Sequence, residues 1–158
     1  MKIHIITKDQ LDKDNNYIGE TDLSDFDGHL QSEKSLGYVR FKFLKVKGHI
    51  WFKAGSGIEA GGGIEAGEGI KAGWGIKAGR CIKAGGGIKA GLGIEAGFSI
   101  HAKFISSKLR IFAGLCMWRL PSEYEQRIVV EKLESGTVAF GKLVIKNTPL
   151  ETLYREEI

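Results

Sequence analysis

The chain has 158 residues, 42% hydrophobic and 27% charged, with 23 glycines, 2 prolines and a formal net charge of +4. That is enough for one domain with a modest core. The mild charge, with Lys and Glu interleaved, permits an acidic partner but builds no strong field for nucleic acid. The apolar run Met1–Ile6 is too short for a signal peptide, and no stretch is long enough to span a membrane. Cys81 and Cys116 lack metal-ligand spacing and fit two free thiols in a reducing compartment. A soluble, cytoplasmic protein is the expectation.

Residues 1 to 45 read as a β-rich cap. Ile3 to Thr7 and Tyr38 to Phe43 have strand character, and the acidic, turn-rich segment Asp9 to Asp27 lies between them. Lys45 to Trp51 leads into the central tract. From Phe52 the chain runs FKAGSG, IEAGGG, IEAGEG, IKAGWG, IKAGRC, IKAGGG, IKAGLG, IEAGFS and IHAKFI, nine consecutive six-residue units. Such periodicity decides the architecture before any local propensity does.

In a strand, side chains alternate faces, so Ile, the charged residue and Ala point in, out and in. Glycine at the fourth and sixth places is expected to supply the positive φ of a corner. A short strand and a corner, repeated, wind into a coil that buries its Ile only when coils stack. Two glycines per unit exclude an α-helix, and the Gly spacing excludes collagen. Ile and Ala held in fixed phase over nine units argue against a disordered linker.

Three units per coil place Glu59, Lys77 and Glu95 in one outward column and Glu65, Lys83 and His101 in another, which favours cross-strand pairing. The third column would be Lys53, Lys71 and Lys89, all of one charge. The fold class expected is all-β: a parallel β-helix of three-sided coils of about 18 residues, spanning 46–114. Ile58, Ile64, Ile70, Ile76, Ile82, Ile88 and Ile94 should line the interior. The segment 115–158 is expected to cap the other end. Pro121 to Glu125 would open a short helix, Ile128–Val130 and Thr137–Ile145 would form strands, and Ser135-Gly136 a turn.

The unit IxAGxG resembles the left-handed hexapeptide β-helix family of trimeric acyltransferases, over 46–114. The fifth place carries Glu68, Trp74 and Arg80, which do not suit the small inward residue of that family. Bactofilin-type β-helices are the other resemblance, so handedness stays open. The overall arrangement also resembles small proteins of bacteriophages and mobile elements, some of which inhibit host defence in the manner of anti-CRISPR proteins.

The residues singled out for binding are the large fifth-place groups Trp74, Arg80, Leu92, Phe98 and Phe104. They are expected on the outer face as an apolar cluster with Arg80 close by, awaiting cover by the C-terminal segment, a second copy or a foreign protein. The family resemblance implies a histidine base in the acyltransferases and histidine-bound zinc in related carbonic anhydrases. Here His49 and His101 occupy different repeat positions, too far apart to share a metal. No phosphate loop or nucleophile motif occurs.

The sequence thus reads as a non-catalytic binding protein without cofactor or metal, with an unknown host protein or itself as partner. The alternatives are a self-assembling scaffold of bactofilin type and an acyltransferase-like enzyme.

Overall fold

A computed structural model describes residues 2–146. The part of the expected C-terminal cap at 147–158 lies outside the described residues. Strand β1 (Lys2–Ile6) runs parallel to β2 (Gly28–Ser32), which with β3 (Gly37–Phe41) and β4 (Leu44–Val46) makes a three-sided coil. The next coil is β5 (Ile50–Phe52), β6 (Ser56–Ala60) and β7 (Ile64–Ala66). Above it lie β8 (Ile70–Ala72), β9 (Ile76–Ala78) and β10 (Ile82–Ala84), then β11 (Ile88–Ala90), β12 (Ile94–Ala96) and β13 (Ile100–His101). The upper coils are β14 (Phe104–Phe112) with β15 (Arg127–Val130), and β16 (Lys132–Phe140) with β17 (Lys142–Ile145). The whole is a parallel β-solenoid of about 6 turns.

From β2 onward each strand pairs with the strand one coil away and not with its chain neighbour, as a solenoid requires. The ladders do not stop at the ends of the hexapeptide tract. Leu30, Ile50, Ile70, Ile88 and Ile105 stack on one face. Val39, Ile58, Ile76, Ile94 and Ile111 stack on the second. Leu44, Ile64, Ile82, Ile100 and Ile128 stack on the third. Every residue of these three columns is almost fully buried, and each buried aliphatic side chain contributes roughly 1.5–3 kcal/mol. The seven isoleucines expected inside are inside.

The columns also explain where the repeat drifts. The spacing of five from Ile100 to Ile105 and six on to Ile111 arises because β14 turns a corner as one continuous strand serving two faces. At the other end Ile50, and not Phe52, takes the first place, and Phe52 fills the place of Ala beside Ala72. Lys71 therefore neighbours Trp51 where Lys53 was expected. The ammonium groups of Lys53 and Lys71 lie 5.5 and 5.6 Å from the Trp51 ring, so cation–π contacts shorten the like-charge column to Lys71 beside Lys89. On the second face the alternation Arg40–Glu59 and Lys77–Glu95 closes ion pairs of 3.6 and 3.8 Å.

Three expectations are corrected. Among the fourth- and sixth-place glycines only Gly55 has positive φ. Most fourth-place glycines are required by space instead: a Cβ on Gly79, Gly85, Gly91 or Gly97 would run into the carbonyl oxygen of the glycine one coil below, whereas Gly61 has room. Ser135-Gly136 is no turn between strands; it lies within β16, where Gly136 (φ +107°) accompanies a shift in register against β14. The short helix expected near Pro121 is a single 3₁₀ turn at Tyr124–Gln126.

The two ends differ. At the lower end Asn16 and Phe26 bridge in parallel to Arg40 and Val46, extending the second and third faces downward. Leu23 is buried there and Tyr17 packs against the core. At the upper end Phe140, Leu143 and Ile145 of β16 and β17 are exposed. Among the described residues no helix is long and apolar enough to cross a membrane.

Ile76→Ala should destabilise by about 2–5 kcal/mol in denaturant unfolding, because the stack cannot collapse around the lost volume. Gly91→Ala should cost about 1–3 kcal/mol or more, since backbone occupies the added methyl's position. Gly61→Ala, whose nearest neighbour would be the Lys42 carbonyl oxygen at 4.0 Å, should be neutral or stabilising by up to about 1 kcal/mol. Equal losses for the two glycine variants would refute the steric account.

Candidate functional site

The fifth-place residues stack by coil as the register dictates, on three different edges of the prism. The Leu92 N–H donates to the Trp74 carbonyl on one edge, and the Phe98 N–H to the Arg80 carbonyl on another. Phe104 lies on the third edge, its ring over Gly87. The single apolar cluster expected from sequence is thus divided.

Trp74 and Leu92 are both 38% exposed. Tyr38, two coils below, reaches past Gly57 to pack on Trp74 with ring centres 5.4 Å apart, so this edge is a modest apolar strip. Phe104 instead helps line a groove of about 350 Å³ on the first face, with Trp51, Ile70, Lys71, Lys89 and His49.

The Arg80–Phe98 edge is the elaborate one. Between Phe112 and Arg127 the chain leaves the solenoid in a loop. The loop's N-terminal end is tied down by N–H groups of Gly114, Leu115 and Cys116, which donate to the Phe98, Ala96 and Gly97 carbonyls. Phe98 is consequently buried. Trp118 meets it edge-on at 5.6 Å, and the Arg119 guanidinium lies 4.3 Å from its ring centre. Arg80 sits over the other ring, 5.6 Å from the centre of Trp118. Glu125 grips both terminal nitrogens of Arg119, one at 2.8 Å, and accepts the Ser122 N–H at 3.1 Å. The hydrogen bonds from Arg119 first, and from the Ser122 N–H second, hold the Glu125 carboxyl down at about 2. Past this brace the loop presents Met117 and Leu120 almost wholly to solvent, at 97% and 90%. Sequence reasoning missed Met117, Trp118, Arg119 and Leu120. The available signal was a run of large apolar residues around one Arg, outside the repeat and just before a proline.

A second constellation stands on the edge before the first face. His29 and His49 occupy equivalent positions one coil apart, with stacked rings 4.1 Å between centres. Glu68 reaches them from the next coil: its Oε2 lies 3.2 Å from His29 Nδ1 and 3.9 Å from His49 Nδ1. Gly48 leaves the space the His29 ring occupies. Burial, and after it the neighbouring His29, lower the His49 pKa below the ordinary histidine value against the pull of Glu68. The partners of His49 are therefore His29 and Glu68. His101 is on the third face beside Lys83, half-buried, with Ser99 Oγ 3.1 Å from its Nε2. Burial foremost, with Lys83 and Lys146, lowers its pKa.

Arg119→Ala should return the Glu125 carboxyl from about 2 toward its ordinary 4.5, read by NMR titration of the side-chain carbonyl. Because the folded-state value is depressed, the anchoring is full above the unfolded value and is lost as pH falls from 4.5 toward 2. Proteolysis within the loop should increase over that window in the parent and already at neutral pH in Arg119→Ala. An unshifted Glu125 in the variant would show that the arginine is not its main partner.

Comparison of the chain with known protein families, with curated proteins and with solved structures found no match.

Proposed function

We propose that this chain is a non-catalytic binding protein that offers the loop between Phe112 and Arg127, braced on the solenoid, to a protein partner. The observation that carries this reading is the exposure of Met117 and Leu120 beside Trp118, on a loop whose base is held by Phe98, Arg80, Arg119 and Glu125. Large apolar groups left in solvent cost solubility and contribute nothing to folding, whereas Trp and Arg at the centre of a contact dominate its energy. A loop already ordered loses little conformational entropy on binding. The solenoid beneath serves as a stiff mount, its free thiols Cys81 and Cys116 suited to the cytoplasm. The occupant under this reading is a host defence protein, the target class of the small phage-borne, anti-CRISPR-like inhibitors that the chain resembles.

A second reading, self-assembly end to end, is favoured by the apolar groups at the terminal coils. Ile3 and Ile5 on β1, and Phe140, Leu143 and Ile145 on β16 and β17, are all exposed. Strand edges with apolar flanks invite pairing with another copy.

The two readings separate with charged substitutions. Met117→Asp with Leu120→Asp should leave the unfolding free energy within about 0.5 kcal/mol of the parent, as surface changes do. It should abolish recovery of a partner that the parent retains from host lysate, and leave the sedimentation coefficient unchanged. A partner still bound by that variant would refute the loop as the contact. Concentration-dependent sedimentation of the parent, lost in Leu143→Asp and kept in the loop variant, would establish self-assembly instead.

A further inference from the structure

The His29, His49 and Glu68 edge is not used by that reading and has a chemistry of its own. Each residue sits on a different coil, so the group depends on the ladder for its assembly. The Gly48 N–H donates to the Gly28 carbonyl and the Glu68 N–H to the Gly48 carbonyl, which brings the three side chains to one edge. Among the described residues this is the one group of three metal-ligating side chains whose donor atoms all lie within 4.8 Å of one another.

The hydrogen bonding in the cluster is incomplete in a specific way. The His49 N–H donates to His29 Nδ1 at 3.0 Å. A ring nitrogen that accepts a hydrogen bond carries no proton. Yet Glu68 Oε2, also an acceptor, stands 3.2 Å from that same nitrogen. The single lone pair of that nitrogen is taken by the His49 N–H, so the Glu68 carboxylate oxygen beside it finds no hydrogen to accept, a contact that a cation between the two would relieve. His49 completes the set. Its Nε2 is 3.3 Å from the Gln31 amide, and an amide turned about its axis can accept from Nε2–H as readily as donate to it. With Gln31 accepting, the His49 Nδ1 lone pair points to the side of Glu68, the outer hydrogen bond that metal-bound imidazoles characteristically make.

We propose that His29, His49 and Glu68 form a binding site for a borderline divalent cation, zinc foremost. Two imidazoles and one carboxylate are a donor set that Zn²⁺ accepts, with at least one position left to water. Ligands about 2.0–2.1 Å from a tetrahedral ion lie about 3.3 Å apart. The 3.2 Å between His29 and Glu68 already matches; His49, 3.9 Å from Glu68 in a group whose donors all lie within 4.8 Å of one another, must close in by about half an ångström on Glu68 and by up to about 1.5 Å on His29. Coordination by His29 diverts its lone pair from the His49 N–H, so one backbone hydrogen bond at a partly exposed edge is exchanged for the metal bond. The bound ion would tie three consecutive coils together at the N-terminal end of the solenoid. This site stands independently of the loop contact proposed above.

The test uses the full chain stripped with chelator and titrated with Zn²⁺ alone. One equivalent per chain should bind by calorimetry, and Zn²⁺ should raise the melting midpoint. His49→Ala should abolish both effects. Glu68→Gln alters an exposed side chain and should melt as the parent does without metal, while binding Zn²⁺ at least about tenfold more weakly. Cys81→Ser with Cys116→Ser should bind as the parent does. No stoichiometric uptake, a Zn²⁺-induced shift undiminished in Glu68→Gln, or loss of binding in the cysteine variant would each overturn the assignment.

Discussion

Every coil of this protein must approach the one below at the spacing of a β-ladder, about 4.8 Å, at the corners as well as along the faces. Along the faces a side chain points in or out and so stays clear of the neighbouring coil's backbone. At a corner the chain bends and its substituents point along the solenoid axis, into the neighbouring coil. The fourth-place glycines are the consequence: at Gly79, Gly85, Gly91 and Gly97 the position of a Cβ is already taken by backbone. The sixth place is less crowded, and Cys81 and Ser99 occupy it in two units. The fifth place points away from the axis, which is why Glu68, Trp74, Arg80 and Phe98 can stand there in an otherwise strict repeat.

The same constraint relates the scaffold to its surface. With the interior reduced to Ile and Ala and the corners to Gly, nearly all chemical variety is displaced to the second and fifth places and to the two ends. A group placed there is fixed in space by the ladder beneath it. Residues about one coil apart become neighbours, so a column along an edge behaves as a short linear array. His29, His49 and Glu68 form one such array and Arg80 and Phe98 another. The long excursion between Phe112 and Arg127 interrupts the winding without disturbing it, because Ile128 resumes the stack over Ile100.

The interior was legible from the chain because its period is local and its logic repeats. A β-branched residue every six positions, Ala two places on and Gly between them leave few arrangements that bury the one and spare room for the other. The buried Ile column follows from that pattern, and the 18-residue coil from the charges at the second place, where Glu59, Lys77 and Glu95 alternate at that spacing. The expectation about glycine failed for a physical reason: the clash is with another coil, so the chain's own dihedrals do not reveal it. The register error at Phe52 has a similar origin. Ile50-Trp51-Phe52 offers two apolar residues of the same parity, and only the pairing of Ile50 with Ile70 decides between them.

The sequence alone determined the class of fold, the content of its core and the outward placement of Trp74, Arg80 and Leu92, since each follows from the alternation of faces and the crowding of a narrow prism. Tertiary structure decided which of the outward residues meet. It assigned Trp74, Phe98 and Phe104 to separate edges, buried Phe98 under Trp118 and Arg119, and joined His49 to His29 and Glu68. The burial of Phe98 comes from a loop outside the repeat, and the histidine edge comes from coil length. The lower coils run to 20 residues, from Leu30 to Ile50 and from Ile50 to Ile70, where the repeat runs to 18. Such insertions are invisible to a six-residue period, and they set which side chains share an edge.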